Sequence, residues 1–175
     1  AARAEHAVKC QLVYGIILLD LVKAFERIRH EYLLRQAIII HAYPLWLLRL
    51  SLATYRLFRV VRVGNAIPHK VQACRGITAG SGIATTELDL ILVDLLLHLA
   101  ARWSRIVTVK LFVDDMILLV FGHPSMIIRT MIEVLDVVID WFERKLGLEI
   151  SADKSKVLAS MIGMAVAIAQ GIVSK

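Results

Sequence analysis

Residues 110–120 read Lys-Leu-Phe-Val-Asp-Asp-Met-Ile-Leu-Leu-Val, so that two adjacent carboxylates, Asp114 and Asp115, lie between two apolar runs. The runs are short and rich in Val, Ile, Leu and Phe, which is typical of buried strands. The pattern predicts a tight hairpin with the Asp pair at its tip. Two like charges side by side in an apolar setting need a neutralising cation, and a divalent ion with oxygen ligands suits this role. Asp-Asp is also ordinary turn chemistry, and this stretch alone supports both interpretations equally.

A second apolar run, residues 14–19, ends in Asp20. Taken alone, Asp20 is better explained as the cap of a helix that follows. Taken together with Asp114 and Asp115, it predicts a cluster of three carboxylates at one end of a sheet. Such a cluster is the ligand set for two Mg²⁺ ions about 3.5–4 Å apart, an arrangement that serves in-line phosphoryl transfer.

Four short motifs follow one another along the chain, at residues 18–28, 75–82, 112–115 and 147–156. They read LLDLVKAFERI, RGITAGSG, FVDD and GLEISADKSK. In this order they resemble the catalytic motifs of reverse transcriptases, most of all those of non-LTR retrotransposons and group II introns. The resemblance covers about residues 12–160.

The resemblance implies an RNA-directed DNA polymerase that transfers a nucleotide from a dNTP to a primer 3′-hydroxyl. Two Mg²⁺ ions, or Mn²⁺ in their place, would be the cofactors. Asp20 and Asp114 would hold both ions, Asp115 would complete the cluster, and the backbone carbonyl of Leu21 would add an oxygen ligand. The implied partners are an RNA template and a DNA primer.

The resemblance also implies three contacts with the incoming nucleotide. Phe25 would pack beneath its sugar, although an ordinary core position is the alternative. Gly80 would let the backbone approach the nucleotide. Lys154 would lie near the triphosphate and could give a proton to the leaving group, and a solvated lysine in a turn is the equally supported alternative.

The charge is unevenly distributed in a chain whose net charge is +6. From Tyr32 to Thr86 there is no Asp or Glu, whereas seven Arg and Lys residues occur in that window. A block of one sign is an electrostatic footprint for a polyanion. We therefore expect nucleic acid to contact basic residues of this window: Arg56, Arg59, Arg62 and Arg75. Arginines that extend from an apolar fold without a ligand are the alternative.

The predicted order of elements is a strand, helices, a hairpin at residues 58–73, a long helix, the Asp hairpin, a helix over residues 125–146, and a last strand. This order predicts an α+β fold, an antiparallel sheet covered by helices on one face. It agrees with a polymerase palm carrying part of the fingers and no thumb. We expect a single domain over residues 1–175, and residues 163–175 have no assigned element.

The composition of the chain argues against a membrane-spanning or disulfide-linked protein. The chain is 58% hydrophobic, but its one long uncharged stretch is interrupted by polar residues and glycines, so we expect no membrane span. Cys10 and Cys74 have neither metal-ligand nor disulfide spacing, which favours a reduced, intracellular protein.

Departures from the family pattern leave a second function open. Ala79 stands where the family has a glutamine that helps hold nucleotide and template. The alternative function is therefore a non-catalytic or decayed palm-like module that binds nucleic acid or protein. Because fingers and thumb segments would lie elsewhere in a larger polyprotein or in a partner chain, we expect this 175-residue chain to be inactive by itself.

Overall fold

The computed structural model describes residues 13–40, 43–60, 62, 64–65, 69–78 and 80–173. The chain divides into two compact units, one of Ala1–Val22 with Val93–Lys175 and the other of Lys23–Leu92. The strands are β1 (Tyr14–Leu19), β2 (Leu21–Val22), β3 (Val107–Phe112), β4 (Asp115–Phe121), β5 (Glu149–Ile150) and β6 (Lys156–Ala159). The helices are α1 (Ala24–Arg27), α2 (His30–Ile40), α3 (Leu45–Tyr55), α4 (Ala84–Trp103), α5 (Pro124–Ile139), a π-helix (Asp140–Leu146) and α6 (Ile162–Val173).

The first unit is built on a four-stranded sheet with the strand order β3-β4-β1-β6. Every neighbouring pair in it is antiparallel. A small second sheet pairs β2 with β5. The predicted α+β fold with an antiparallel sheet is therefore confirmed, and β1, the strand that leads to Asp20, has a partner on both sides.

The helices α5 and α6 lie against one face of β1. Side chains alternate along a strand, and the buried members of β1 are Gly15, Ile17 and Leu19. Gly15 allows the close approach, since a Cβ placed on it would lie 2.8 Å from Ile127 Cγ2 of α5. A glycine in a strand interior is typical of such a contact.

The helix predicted over residues 125–146 is observed as α5 followed by the π-helix. Its apolar face is buried, and it ends where Gly147 adopts the left-handed conformation with φ 66°. The predicted stop at Gly147 is therefore confirmed. The turn to π geometry over Asp140–Leu146 could not be predicted from the apolar spacing, because that spacing fits an ordinary α-helix as well.

Helix α6 was not predicted, because its sequence of small apolar residues lacks a clear period. It packs on α5 and β6 through buried residues that include Met164 and Ile168. At 12 residues it is short, and no helix of the described residues has the length and apolar character needed to cross a membrane.

The second unit holds α1, α2 and α3 and the first part of α4. The hairpin predicted at residues 58–73 is wrong for the part that the structure describes. There a turn does form at Gly64–Asn65, but an isolated bridge between Arg59 and Val71 replaces the two paired strands. The physical reason is that Phe58, Val60 and Val71 remain exposed, so extended pairing would gain little burial.

A buried polar cluster lies in this same unit. Glu87 of α4 is fully buried and accepts hydrogen bonds from the hydroxyls of Ser51 and Tyr55 on α3. Burial, followed by the hydrogen bond to Glu87 and its charge, raises the pKa of Tyr55 to about 12. Glu87 is in the first turn of its helix, and no pattern in the sequence predicts that it is buried against two hydroxyls of another helix.

Candidate active site

Asp20 follows directly on β1, and its backbone is held from both sides. Its N–H donates to Ser155 Oγ at 3.3 Å, and its carbonyl accepts from the Ser151 N–H at 2.8 Å. Ser155 N–H in turn donates to the Ser151 carbonyl at 2.9 Å, which closes the loop of residues 151–155. Leu19 before it is buried, so the carboxylate projects from a fixed position.

A second carboxylate, that of Asp115, belongs to the same end of the sheet as Asp20. Leu19 of β1 pairs with Met116 of β4, and one further step on each strand reaches Asp20 and Asp115. Directly opposed residues share a face of an antiparallel sheet, and faces alternate along each strand. Asp115 therefore lies on the face of the sheet opposite to Met116 and Gly15, and helix α5 contacts the Gly15 face.

Asp114 is in the turn of the central hairpin. Phe112 and Asp115 form the last pair, so the two turn residues are Val113 and Asp114, one position earlier than an Asp-Asp tip. Val113 has φ 59°, a left-handed conformation that is unfavourable for a β-branched residue. Strain of this kind costs about 1–3 kcal/mol and is concentrated at functional sites. The hairpin turn places Asp114 at the same end of the sheet as Asp20.

Lys154 completes the charged groups at this end. Its Nζ lies 3.2 Å from Oδ2 of Asp20, whose side chain is 20% exposed, while the Lys154 side chain is 72% exposed. Oδ2 itself is buried and receives no hydrogen bond of good geometry. Lys154 therefore neutralises Asp20 as an ion pair, and lone pairs of that oxygen remain unused.

The donor set suits a hard divalent cation. Carboxylate and carbonyl oxygens are the ligands that Mg²⁺ prefers, and the buried Oδ2 of Asp20 has the Lys154 ammonium as an ion-pair partner but makes no hydrogen bond of good geometry. Leu21, the other expected ligand, is buried in β2 beside Ile150. Within the described residues, no three His, Cys, Asp or Glu side chains are gathered so that they could already hold a metal ion. The metal ligands therefore remain a prediction that the chemistry of the donors supports.

The second unit contains the other residues predicted from the motifs. Phe25 is half-buried in α1, and its carbonyl accepts from the Ile77 N–H at 2.8 Å. Gly80 is exposed at φ +86°, a conformation that L side chains rarely adopt. Ala79 lies outside the described residues. The structure leaves the nucleotide contacts of Phe25 and Gly80 as predictions.

Two of the predicted arginines share a cavity of about 380 Å³ in this unit. Arg59 and Arg75 line it together with Glu26, Gly76, Ile77 and Thr78. Gly76 has φ +92°, and a Cβ there would lie 3.1 Å from the Glu26 carbonyl, so a glycine is needed. The arrangement offers two guanidinium groups to an anionic ligand.

The other two arginines are exposed and bond to protein groups. Arg62 Nε donates to the Gly64 carbonyl at 2.9 Å, and Arg56 Nε donates to His30 Nδ1 at 3.3 Å. His30 is fully buried, and its Nε2 lies 2.7 Å from the Gly76 carbonyl. Its neutral form with the proton on Nε2 satisfies both contacts. Sequence reasoning missed His30, because a single histidine between ordinary residues carries no motif.

Solved structures of similar fold include telomerases. The telomerase from Candida albicans in complex with a TWJ fragment of telomeric RNA matches with a TM-score of 0.64 at 12% identity, over 89% of this chain and 29% of that one. The telomerase from Candida tropicalis with the same kind of fragment gives 0.67 at 12% identity, over 92% and 28%. Apo telomerase from Candida tropicalis gives 0.67 at 12% identity, over 89% and 30%. The chain thus spans about three tenths of these proteins.

Sequence comparison gives the family. No curated protein sequence matches the chain. The profile of the family described as reverse transcriptase (RNA-dependent DNA polymerase) matches residues 3–166. Because this match covers nearly the whole chain and includes all four motifs, the chain belongs to the reverse transcriptase (RNA-dependent DNA polymerase) family.

Proposed function

We propose that this chain carries the catalytic centre of an RNA-directed DNA polymerase that extends a primer by two-metal nucleotidyl transfer. The observation that carries the proposal is the arrangement of Asp20, Asp114 and Asp115. All three belong to one end of the central sheet, and Asp20 has an oxygen without a hydrogen bond. Family membership supports the same chemistry.

The proposed roles divide between binding the metals and binding the substrates. Asp20 and Asp114 would hold both Mg²⁺ ions, with Asp115 and the Leu21 carbonyl as further oxygen ligands. When bound, the metals lower the pKa of the primer 3′-hydroxyl and neutralise the charge of the triphosphate and the leaving pyrophosphate. Lys154 would give a proton to that pyrophosphate, and its ammonium beside Asp20 is near enough to the carboxylates for this role.

The second unit would contact the nucleotide and the template–primer. Phe25 would lie under the sugar, and Gly80 would bring backbone close to the nucleotide. Arg59 and Arg75, which share one cavity, would bind backbone phosphates together with Arg56 and Arg62. The remaining fingers and a thumb would come from segments beyond this chain, in keeping with its share of the telomerase structures. The amino-acid sequences of the four motifs support a reverse transcriptase of the non-LTR retrotransposon or group II intron type.

One observation favours a second function, a non-catalytic module that binds nucleic acid. Ala79 replaces the glutamine that the family uses to hold nucleotide and template, and alanine has no hydrogen-bonding side chain. A decayed site of this kind would retain the arginines and lose the use of the carboxylates.

Binding of Mn²⁺ to this chain distinguishes the two functions. We expect weak Mn²⁺ binding that raises the unfolding temperature, because a ligand of the native state stabilises it. Asp114→Asn should abolish most of that shift, whereas Asp153→Asn, which changes an exposed carboxylate on a neighbouring turn, should retain it. An equal shift for the wild type and Asp114→Asn would contradict the proposed metal site.

A further inference from the structure

The ion pair between Lys154 and Asp20 occupies the oxygen that a metal ion would need. Lys154 Nζ is 3.2 Å from Asp20 Oδ2, and that oxygen receives no hydrogen bond of good geometry. Among the ion pairs of the described residues, Lys154 is the cation that faces this carboxylate. A divalent ion on the same oxygen would stand within a few ångströms of the ammonium, where repulsion between two cations is strong.

The loop that carries Lys154 also fixes Asp20. Ser151 and Ser155, on either side of Lys154, hold the backbone N–H and carbonyl of Asp20. The backbone of Lys154 is therefore anchored beside Asp20. Its side chain is largely exposed, and a flexible four-carbon stem lets the ammonium leave while the anchor remains.

We propose that Lys154 is a built-in competitor of the catalytic metal, which holds Asp20 in the metal-free protein and must release it before a metal binds there. The inference rests on the proposed function, because it needs the metal site at Asp20. Released from Asp20, the ammonium becomes free to meet the triphosphate. Metal and nucleotide then favour each other's binding, because the triphosphate binds the Lys154 ammonium, whose positive charge otherwise repels the metal.

Lys156 provides a matched control. It is an exposed lysine two residues further on, and its ammonium donates to the Asp153 backbone carbonyl at 2.8 Å instead of to a carboxylate. Lys154→Met and Lys156→Met each remove one positive charge from the same loop region. They differ in that Lys154→Met alone releases Asp20.

The test is a titration with Mn²⁺ alone, in which free Mn²⁺ is followed by electron paramagnetic resonance. We expect Lys154→Met to bind Mn²⁺ about threefold to tenfold more tightly than the wild type, a range that fits loss of one partly buried ion pair. Lys156→Met should stay within about twofold of the wild type. Lys154→Gln should repeat the result of Lys154→Met, and circular dichroism confirms that each variant is folded.

Two results would overturn the inference, and they are distinguishable. If the wild type binds Mn²⁺ in a manner that depends on Asp20, but Lys154→Met and Lys154→Gln bind no more tightly than Lys156→Met, the competition is refuted and the proposed metal site survives. If Asp20→Asn leaves Mn²⁺ binding unchanged in every background, the metal site of the proposed function fails, and the inference fails with it.

Discussion

Removal of the Tyr55 hydroxyl is expected to destabilise the chain by about 2 kcal/mol. In the native structure this hydroxyl donates to Glu87 Oε2 at 2.9 Å inside the second unit, and both residues are buried. Tyr55→Phe leaves a buried carboxylate oxygen without its donor. A hydrogen bond to a charged group contributes about 1.5–3 kcal/mol. Because the ring of phenylalanine fills nearly the same space, packing is little changed.

The pKa of Tyr55 adds a dependence on pH to this prediction. Burial first, and then the hydrogen bond to Glu87, raises this pKa from 10.0 to about 12, so the folded state is favoured over the unfolded state as long as the phenol stays neutral. Since the folded pKa lies above the unfolded value, this stabilisation is complete below pH 10 and is lost as the pH rises towards 12. The difference in unfolding free energy between wild type and Tyr55→Phe should therefore narrow across that window.

The assay is urea denaturation followed by circular dichroism, at pH 8 and at steps between pH 9 and pH 12. Tyr32→Phe serves as the control, because the hydroxyl of Tyr32 is half-buried and bonds to the neutral Gln36. We expect this control to cost less than about 1 kcal/mol. A Tyr55→Phe variant as stable as the wild type, or a difference that stays constant up to pH 12, would refute the reasoning.

Three further predictions concern the sheet, the cavity and the nucleotide. Gly15→Ala should lower the unfolding free energy by about 1–3 kcal/mol in thermal denaturation, because its methyl group would collide with α5, whereas Gly163→Ala, with open space around it, should be neutral or stabilising. Arg59→Ala should weaken nucleic-acid binding and reduce the salt slope of log affinity by about one, while Arg129→Ala, an arginine paired with Glu133, should leave both unchanged. In a polymerase with fingers and thumb present, Phe25→Val should admit ribonucleotides and Phe25→Tyr should not, as measured by kcat/KM for deoxyribonucleotides and ribonucleotides. A Phe25→Val enzyme as selective as the wild type would show that Phe25 is an ordinary core residue.

The parts of the fold that the sequence predicted are those in which a local pattern and tertiary packing agree. The apolar runs around Asp115 became β3 and β4: in β4, Met116, Leu118 and Val120 are buried, and β3 pairs with β4 along its whole length. Gly147 ended its helix because a left-handed residue is needed there. Where the pattern had no such support, prediction failed. Phe58, Val60 and Val71 have strand-forming side chains, but their exposure shows that too little burial is available there to hold a hairpin.

The candidate site was predictable in its residues and not in its contacts. The carboxylates could be found because a motif lies around each of them. The bond between Asp20 and Ser155 joins residues 135 positions apart, and no local rule supplies such a contact. It depends on the register of β6 beside β1, which brings the loop of residues 151–155 to the end of the strand. The pairing of Lys154 with Asp20 follows from that register and was therefore missed.

The strand order β3-β4-β1-β6 also determines how much of the chain must be synthesised before the candidate site can form. Of the four strands of this sheet, β1 leaves the ribosome first, yet its two neighbours are β4, near residue 118, and β6, near residue 158. Until β6 has emerged, one edge of β1 has no partner and Asp20 has no loop to hold it. Folding of this unit must wait for contacts that are distant in sequence, which makes it slow compared with a helical bundle of equal size. A nascent chain cut short before Ala159 would therefore hold all three aspartates and still lack the frame that positions the first of them.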